Sequence, residues 1–366
     1  MCGTERVDFR DLPGWQDDDQ RDAFLAFRRS ALRNPGEKPL KTGDFGIATA
    51  DLEAAYHAAR QHDALTDLAA RDFFERHFQP VHIRKAGFVT GFYEPVIKAS
   101  RHRSADFRYP FHRRPHDLVA VDETNRPAML DPSMAFARRA ESDGCLSAYP
   151  DRRAIETGFL DGRGLEIAWC KSRIDVFLAH VQGAARLELD DGETIRITYD
   201  GKSGHAFTAI GRVLVEKGEL DPQSVTMDAI RDWLDAHPDR HDEILWQNRS
   251  YIFFRQTPPL ADTLGPIAAA KVPLTPGRSL AVDRRHHTFS SPFYVTSDAL
   301  ADPDHAHKPF RRLMIAQDTG SAILGEARGD LFIGSGSEAG KIAGAIRHQA
   351  DFFLLVPFSA IDRFPS

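Results

Sequence analysis

From Tyr251 onward the chain is a series of short apolar segments separated by turns that contain glycine and proline. The segments are YIFFR (251–255), SLAVD (279–283), RLMIAQD (312–318), DLFIG (330–334) and FFLLVP (352–357). Each has the length of a strand, and few helical patterns lie between them. Several short strands joined by tight turns can protect their edges by closing on themselves. This region therefore predicts a compact β-barrel.

The first 80 residues have a different pattern, with apolar residues at helical spacing. They predict three helices, which carry Phe24, Phe27 and Leu32, then Leu52, Ala55, Tyr56 and Ala59, then Leu65, Leu68, Phe74 and Phe78. This spacing places apolar side chains on one face of each helix, where they are expected to pack into a core. The third helix is expected to end before Pro80.

The middle of the chain, about 104–244, has its own secondary structure. Residues 104–150 have little periodicity and predict long irregular connections at the surface. A helix is predicted at 173–182, and a hairpin follows at 186–199 with its turn at Asp191-Gly192. Barrel-like strands lie on either side of this segment. The whole chain is therefore predicted to be mainly β with helices.

Charge and composition exclude several classes of protein. The chain has 47 Lys+Arg and 53 Asp+Glu, a net charge of −6 with no dominant basic face, so no nucleic-acid partner is expected. No apolar run approaches the roughly 18 residues of a membrane-spanning helix. The first residues, MCGTERVDFRDLPG, lack the apolar stretch of a signal peptide. Taken alone they predict a cytoplasmic protein, unless a leader has been trimmed.

Two short motifs resemble parts of known enzyme sites. Asp318-Thr319-Gly320-Ser321 matches the activating turn of aspartic proteases, but that chemistry needs two such carboxylates and the motif occurs once. GSGSEA (334–339) fits the loose glycine pattern of dinucleotide-binding proteins, but too few residues follow it to complete that fold. A tight turn leading into a helix, with Ser335 and Glu338 as a capping box, is the better interpretation.

Histidine and cysteine residues do not predict a metal or cofactor. His286-His287 and His305-Ala306-His307 lie in loops without a nearby carboxylate–histidine arrangement, and they are expected to be solvated. The three cysteines cannot form a disulfide framework. Cys145 and Cys170 are expected to be inert packing residues. No metal site and no cofactor are therefore predicted.

Three carboxylates lie at the ends of predicted strands: Asp283, Asp318 and Asp330. Singly, each has the position of a turn cap or a solvated acid. A glycine-containing loop separates Asp318 from Asp330, and both flank apolar strands of one predicted sheet. Such a placement favours a protonated carboxyl, because burial and a neighbouring acid both raise its pKa. A protonated carboxyl is what a general acid requires.

Two aromatic pairs have two possible interpretations. Phe92-Tyr93 and Phe253-Phe254 alternate with polar residues, including Thr90, Glu94 and Arg255, as in a groove for sugar rings. The same residues also fit an ordinary barrel core. The pattern alone leaves both interpretations open.

At these residues the chain resembles the membrane-bound lytic murein transglycosylase A (MltA) family, which has a C-terminal three-aspartate region. The similar stretches are GFVTGFYEPVIKAS (87–100), RYPFHRRPHDL (108–118), DVFLAHVQGAARLELDDG (175–192), SYIFFR (250–255), VPLTPGRSLAVDR (272–284) and LMIAQDTGSAILGEARGDLFIGSGSEAGKIAG (313–344). They follow the family's order along nearly the whole chain. Departures include Ala184-Ala185 and His286-His287, where the family pattern has other residues.

The resemblance implies a fold and a domain organisation. Residues 1–103 and 245–366 would form a catalytic domain, a six-stranded double-psi β-barrel with N-terminal helices. Residues 104–244 would form a smaller β-rich domain inserted into it. A groove between the two domains would hold the glycan.

The resemblance also implies an activity and site residues. The activity is that of a lyase, the non-hydrolytic cleavage of the β-1,4 bond between N-acetylmuramic acid and N-acetylglucosamine in peptidoglycan. The catalytic acid falls on Asp330, with Asp318 and Asp283 in supporting roles. The substrate-binding positions fall on Thr90, Gly91, Phe92, Tyr93, Glu94, Gln182 and Gly183.

The resemblance also implies the glycan strand as the partner and the periplasm or outer membrane as the location, although no signal peptide is visible in the sequence. Lipid anchoring follows only from the resemblance, and a monomer is expected. Two other functions stay open: a hydrolase that uses Asp318 and Asp330 as an acid–base pair, and a silent peptidoglycan-binding protein. The mass of the products distinguishes them, because hydrolysis adds one water to each fragment.

Overall fold

The computed structural model describes residues 3–33 and 40–365, so Cys2 lies outside the described residues. Its strands are β1 (Thr4–Arg6), β2 (Phe78–Ile83), β3 (Gly87–Glu94), β4 (Val96–Ser100), β5 (Tyr109–His112), β6 (Leu118–Ala120), β7 (Phe136–Arg139), β8 (Leu146–Ser147), β9 (Glu166–Cys170), β10 (Ala184–Leu189), β11 (Thr194–Lys202), β12 (Ile252–Thr257), β13 (Ser279–Val282), β14 (Pro292–Asp302), β15 (His305–Asp318), β16 (Arg328–Ser335) and β17 (Arg347–Pro357).

The helices are α1 (Arg21–Ala31), α2 (Glu53–Arg60), α3 (Asp67–His77), α4 (Arg152–Ala154), α5 (Arg173–Gln182), α6 (Ile210–Glu216), α7 (Met227–Ala236), α8 (His241–Leu245) and α9 (Ser337–Ala345). Within the described ranges, no helix is long and apolar enough to cross a bilayer. The chain divides into two compact units. The first comprises the chain up to Tyr93 and from Leu260 on, and the second is Glu94–Pro259.

The first unit contains a closed barrel of six strands. Around the barrel the order is β17-β14-β15-β13-β16-β3, and β3 pairs back with β17. Closure leaves these six strands without a free edge between them. The β-barrel predicted from the C-terminal strand pattern is confirmed for four of the five segments. The prediction is wrong for YIFFR (251–255), because β12 belongs to a sheet of the second unit. β2 and β1 extend the sheet outward from β17.

The three predicted helices are confirmed as α1, α2 and α3, whose apolar residues recur at helical spacing, but Phe78 of the third stripe is the first residue of β2. Phe24 and Phe27 of α1 are fully buried and join Tyr56 and Phe74 in the main core. Two residues of the predicted stripes are exposed, Leu32 and Leu68. Leu32 lies one residue beyond the end of α1, and Leu68 lies in the first turn of α3. At the end of a helix, an apolar residue need not face the core.

The second unit is built on a six-stranded sheet in the order β12-β11-β10-β4-β9-β5. The predicted hairpin is confirmed as β10 and β11, with Leu187 opposite Ile195. The predicted helix is α5, which begins where the Ser172 side chain accepts the Asp175 N–H and ends at Gly183 in the left-handed conformation. The predicted inserted segment, 104–244, lies within this unit.

Several details differ from the predictions. β14 was not predicted, because its first six residues are all buried and show no alternation between an apolar and a polar face. Residues 104–150 are not wholly irregular, since β6, β7 and β8 form a small sheet there. The predicted capping box is wrong, because Gly336 is the N-cap of α9 and Ser335 still belongs to β16. A glycine with φ +90 makes the turn instead.

Candidate active site

The barrel register places Asp318 and Asp330 on either side of Ala281. β13 runs parallel to β15, where Ala281 pairs with Asp318, and antiparallel to β16, where Ala281 pairs with Asp330. Neighbouring strands lie about 4.8 Å apart, so the two aspartate backbones are roughly 10 Å apart. In the sheet, the residue between them is Ala281, whose side chain is a methyl group. The fold thus brings together two of the three aspartates that the sequence singles out.

A β-bulge gives Asp318 this position. The register between β13 and β15 shifts by one residue between Leu280 and Ala281, and Gln317 is the extra residue. Gln317 is buried and accepts a hydrogen bond from the Ser279 hydroxyl. Without the bulge Gln317 would stand opposite Ala281. Bulges commonly re-aim a side chain beside a functional site, and here the side chain is a carboxylate.

Asp330 is partly exposed and accepts a hydrogen bond from a neighbouring strand. The Thr90 hydroxyl donates to its Oδ1 over 2.5 Å. Burial raises the pKa of Asp330, while the Thr90 hydrogen bond and the positive charge of Arg328 lower it, and burial prevails. The carboxyl is therefore easier to protonate than an ordinary aspartate.

The pKa of Asp318 is also raised. Burial raises it to about 6, and the negative charge of Asp330 adds to the effect. The N–H groups of Thr319 and Ala269 stabilise the charged form, the latter over 3.2 Å to Oδ1. Two neighbouring carboxyls that both resist ionisation retain a proton closer to neutral pH than an isolated aspartate does.

Asp283 lies two residues beyond Ala281 and has a different environment. It accepts the Gly325 N–H over 2.8 Å and forms an ion pair with Arg285 at 2.6 Å. Burial opposes ionisation, but these contacts outweigh it and hold the pKa of Asp283 well below its usual range. Its carboxylate stays charged and ties down the loop that connects Asp318 to Asp330.

The alternation of β3 places Thr90 and Phe92 on the same side of the strand. Phe92 packs against Phe332, with ring centroids 5.2 Å apart, and Phe332 follows Asp330 by two residues on β16. These rings share a small apolar cluster with Ala281. The polar pair Thr90–Asp330 therefore stands beside an apolar patch, an arrangement that suits a sugar ring.

Gly91 and Tyr93 face helix α9. A Cβ atom on Gly91 would lie 2.7 Å from the Cα atom of Ala343 and 2.8 Å from its carbonyl oxygen. A Cβ atom on Gly340 would lie 2.9 Å from the ring of Tyr93. Both glycines allow β3 to pack closely against the helix. In this structure, Gly91 thus allows β3 to lie close to α9.

Gly91→Ala tests this packing. The added methyl group would meet backbone atoms, which cannot rotate away, so β3 or α9 must shift. Overpacking of this kind costs about 1–3 kcal/mol, and we expect the free energy of unfolding in urea to fall by that amount. An unchanged free energy of unfolding would contradict the close approach.

The other predicted substrate-binding residues lie in the second unit. Glu94 is fully buried, with its carboxylate 3.3 Å from the guanidinium of Arg186 and 3.8 Å from that of Arg196. Gln182 is the last residue of α5. Gly183 caps that helix with φ +76, and its carbonyl accepts the Tyr199 N–H over 2.8 Å.

Two expectations about reactive side chains are wrong. His287 is not a solvated loop residue: it is buried, stacks on Phe45 with centroids 5.0 Å apart, and its Nε2 contacts the Glu326 carbonyl oxygen. Cys145 is exposed, so it is no packing residue, whereas Cys170 is buried and burial raises its pKa to about 12. Within residues 3–33 and 40–365, no group of His, Cys, Asp and Glu could hold a metal ion.

Sequence reasoning missed two residues of the site, Ala281 and Arg328. Ala281 is a small apolar residue inside a strand, which carries no signal of function. Arg328 precedes Asp330 by two residues, and strand alternation places both on one face. That spacing was a usable signal once 330–334 was predicted to be a strand.

Comparisons with known proteins identify the family of the chain. A family model described as "MltA specific insert domain" matches residues 88–255, and one described as "3D domain" matches residues 278–356. Membrane-bound lytic murein transglycosylase A of Escherichia coli K12 is 30% identical over 270 residues. That alignment covers 73% of this chain and 64% of the relative, so the chain spans somewhat less than two thirds of its length.

Solved structures extend the match to the whole chain. The crystal structure of a membrane-bound lytic murein transglycosylase from Agrobacterium tumefaciens is 50% identical, with a TM-score of 0.93, over 99% of this chain and 100% of that one. The structure of E. coli MltA with bound chitohexaose is 25% identical, with a TM-score of 0.67, and the match covers 92% of this chain and 90% of that one. The chain belongs to the membrane-bound lytic murein transglycosylase A family.

Proposed function

We propose that this protein cleaves the β-1,4 bond between N-acetylmuramic acid and N-acetylglucosamine in peptidoglycan without consuming water. The observation that carries the proposal is the arrangement of Asp318 and Asp330 around Ala281, with Thr90 hydrogen-bonded to Asp330. The family relationship supports the reaction. The chitohexaose bound to the E. coli relative supports a glycan strand as the substrate.

In the first step Asp330 acts as a general acid. Its carboxyl proton passes to the glycosidic oxygen as the bond from that oxygen to C1 of the muramic acid breaks. The leaving sugar departs as an alcohol, and Asp330 becomes a carboxylate. The raised pKa of Asp330 favours the protonated form that this step needs.

In the second step the same carboxylate acts as a base. The 6-hydroxyl of the muramic acid attacks C1, and its proton passes to Asp330, which regains its starting form. The product is a 1,6-anhydro sugar, and all atoms of the substrate are retained. Because the hydroxyl and C1 belong to one ring, the attack benefits from a high effective concentration.

Asp318 and Asp283 support Asp330 in this proposal. Asp318 stands across Ala281, and repulsion between the two carboxylates disfavours the state in which both have lost their protons. Asp283 holds the loop between the two other aspartates through Gly325. Neither residue needs to touch the sugar.

The substrate-binding residues and the setting are part of the proposal. Thr90 and Phe92 lie beside Asp330, and the family pattern adds Gly91, Tyr93, Glu94, Gln182 and Gly183. The partner is the glycan strand. The relatives are named membrane-bound, which supports a location at a membrane. The outer membrane or periplasm, and lipid anchoring, are proposed from the family resemblance.

The reaction is tested by digesting purified sacculi and weighing the released muropeptides. We expect masses of anhydro-muropeptides, each one water lighter than the hydrolytic product. Reducing-end products would support the alternative of a hydrolase with Asp318 and Asp330 as an acid–base pair. Binding to sacculi with no release would support a silent peptidoglycan-binding protein. Either result would overturn the proposal.

A further inference from the structure

Three side chains form a continuous chain of hydrogen bonds that ends on Asp330. Nη2 of Arg328 donates to Oγ1 of Thr90 over 2.6 Å, and the Thr90 hydroxyl donates to Oδ1 of Asp330 over 2.5 Å. Arg328 and Asp330 lie on β16, and Thr90 lies on the neighbouring strand β3. The chain of contacts therefore crosses from one barrel strand to the next and back.

The chemistry of the groups sets the direction of each bond. A guanidinium has no acceptor, so Thr90 must accept the hydrogen bond from Arg328. A hydroxyl has a single proton, and that proton then points to Asp330. Oδ1 of Asp330 is therefore committed as an acceptor, which leaves Oδ2 as the oxygen that carries a proton.

Arg328 is itself held in place. Its guanidinium lies over the ring of Phe88, 5.8 Å from the centroid, and its Nη1 donates to the carbonyl of Gly329. Burial lowers the pKa of Arg328, and the charge of Asp330 opposes this effect. A half-buried cation with fixed contacts is a reliable donor, whereas an exposed one spends much of its time in solvent.

We propose that Arg328 is a positioning residue that acts through Thr90 to make Oδ2 the oxygen of Asp330 that gives up and retakes the proton. This inference rests on the proposed function, in which one carboxyl acts first as acid and then as base. A carboxyl held in one orientation presents the same oxygen to the sugar in both steps. A hydroxyl locked by Arg328 keeps it from rotating between them.

Other charges also act on this site and enter the test. Asp318 faces Asp330 from β15, and Lys271, which lies before β13, partly offsets the charge of Asp318. Arg328 is the cation that acts on Asp330 itself. Removing it should make Asp330 easier to protonate, because an opposite charge favours the ionised form.

The experiment is the pH profile of kcat/KM for anhydro-muropeptide release by Arg328→Met. We expect the alkaline limb, which reports loss of the acid's proton, to move upward by about one pH unit. We also expect kcat to fall about tenfold with little change in KM, because positioning is lost in the chemical step. Arg328→Lys should return the alkaline limb to its wild-type position, since lysine keeps the positive charge. Arg84→Met, which removes an exposed cation paired with Glu5, should leave the profile unchanged.

A second pair of variants tests the role of the hydroxyl. Thr90→Ser keeps the hydroxyl and should retain the wild-type profile, whereas Thr90→Val removes it and should shift the limb as Arg328→Met does. In a Thr90→Val background, Arg328→Met should lower kcat by much less than tenfold. If Arg328→Met does not fold, the Thr90 pair and Arg328→Lys still give the answer.

Two outcomes would separate the inference from the function. If the wild type releases anhydro products and the limb stays in place for both Arg328→Met and Thr90→Val, the inference is wrong and the function stands. If the wild type releases reducing-end products, the proposed function is wrong, whatever the variants do. A lower kcat in these variants with an unmoved limb would indicate a purely structural role for Arg328.

Discussion

Asp330→Asn should lower the rate of anhydro-muropeptide release by about 10²–10⁴-fold, the range that general acid–base catalysis supplies. An asparagine can accept the hydrogen bond from Thr90 but cannot donate a proton to the glycosidic oxygen. The substitution is close to isosteric, so the fold and binding to sacculi should be retained. The measurements are product release by mass spectrometry, sedimentation with sacculi, and the free energy of unfolding.

Two matched variants make this result specific. Asp298→Asn removes an exposed carboxylate of the same unit, paired only with Arg311 among the described contacts, and should leave activity unchanged. Asp318→Asn should lower activity less than Asp330→Asn, because Asp318 supports the acid from across Ala281. An active Asp330→Asn together with an inactive Asp318→Asn would show that Asp318, with its pKa of about 6, is the acid.

The free energy of unfolding should fall steeply as the pH is lowered from about 6.5 to about 4. Burial lowers the pKa of His112 and of His287 to about 4, and burial also holds the pKa of His180 well below its usual range. The unfolded chain takes up protons near pH 6.5. The folded chain binds them only near pH 4, so stability that is full above pH 6.5 is lost as the pH falls.

His112→Gln tests this dependence. The Nδ1 atom of His112 lies 2.8 Å from the Tyr251 hydroxyl, and glutamine can keep a hydrogen bond there without titrating. Between pH 7 and pH 4.5 the variant should lose less free energy of unfolding than the wild type, by roughly 2–3 kcal/mol. His62→Gln, at an exposed position, is the control and should match the wild type. An identical pH dependence in His112→Gln and the wild type would contradict the account.

The sequence was sufficient to predict the elements with strong local signals. The apolar segments after Tyr251 carry strand length and turn residues, and five of them are strands in the structure. The helix at 173–182 has an N-cap serine and a terminal glycine, and its bounds agree with the prediction. β14 was missed because its first six residues are all buried and lack the alternation by which strands are recognised.

The site was predictable only in part, because it depends on pairing between distant strands. Asp318 and Asp330 stood out as acids at strand ends, but their common neighbour Ala281 follows from the register of β13 with two partners. The contact of Thr90 with Asp330 joins residues that are 240 positions apart. No local sequence pattern indicates a contact between residues so far apart along the chain.

The two interpretations of the aromatic pairs are now separated for one pair. Phe253 and Phe254 are fully buried, which agrees with a core position, but the core is that of the second unit and not of the barrel. Phe92 is also mostly buried, but its cluster includes Ala281, between the two aspartates. Phe92 is thus a core residue that also lies beside the site. A sequence pattern alone does not reveal this combination.

The most direct measurement of the central claim is digestion of sacculi in water enriched in ¹⁸O. If the muramic acid closes on itself, the new fragment ends come entirely from the substrate, and the released anhydro-muropeptides should contain no ¹⁸O. Hydrolysis would instead place one ¹⁸O atom at C1 of each new reducing end during cleavage. Label at C1 in the earliest products would contradict the account.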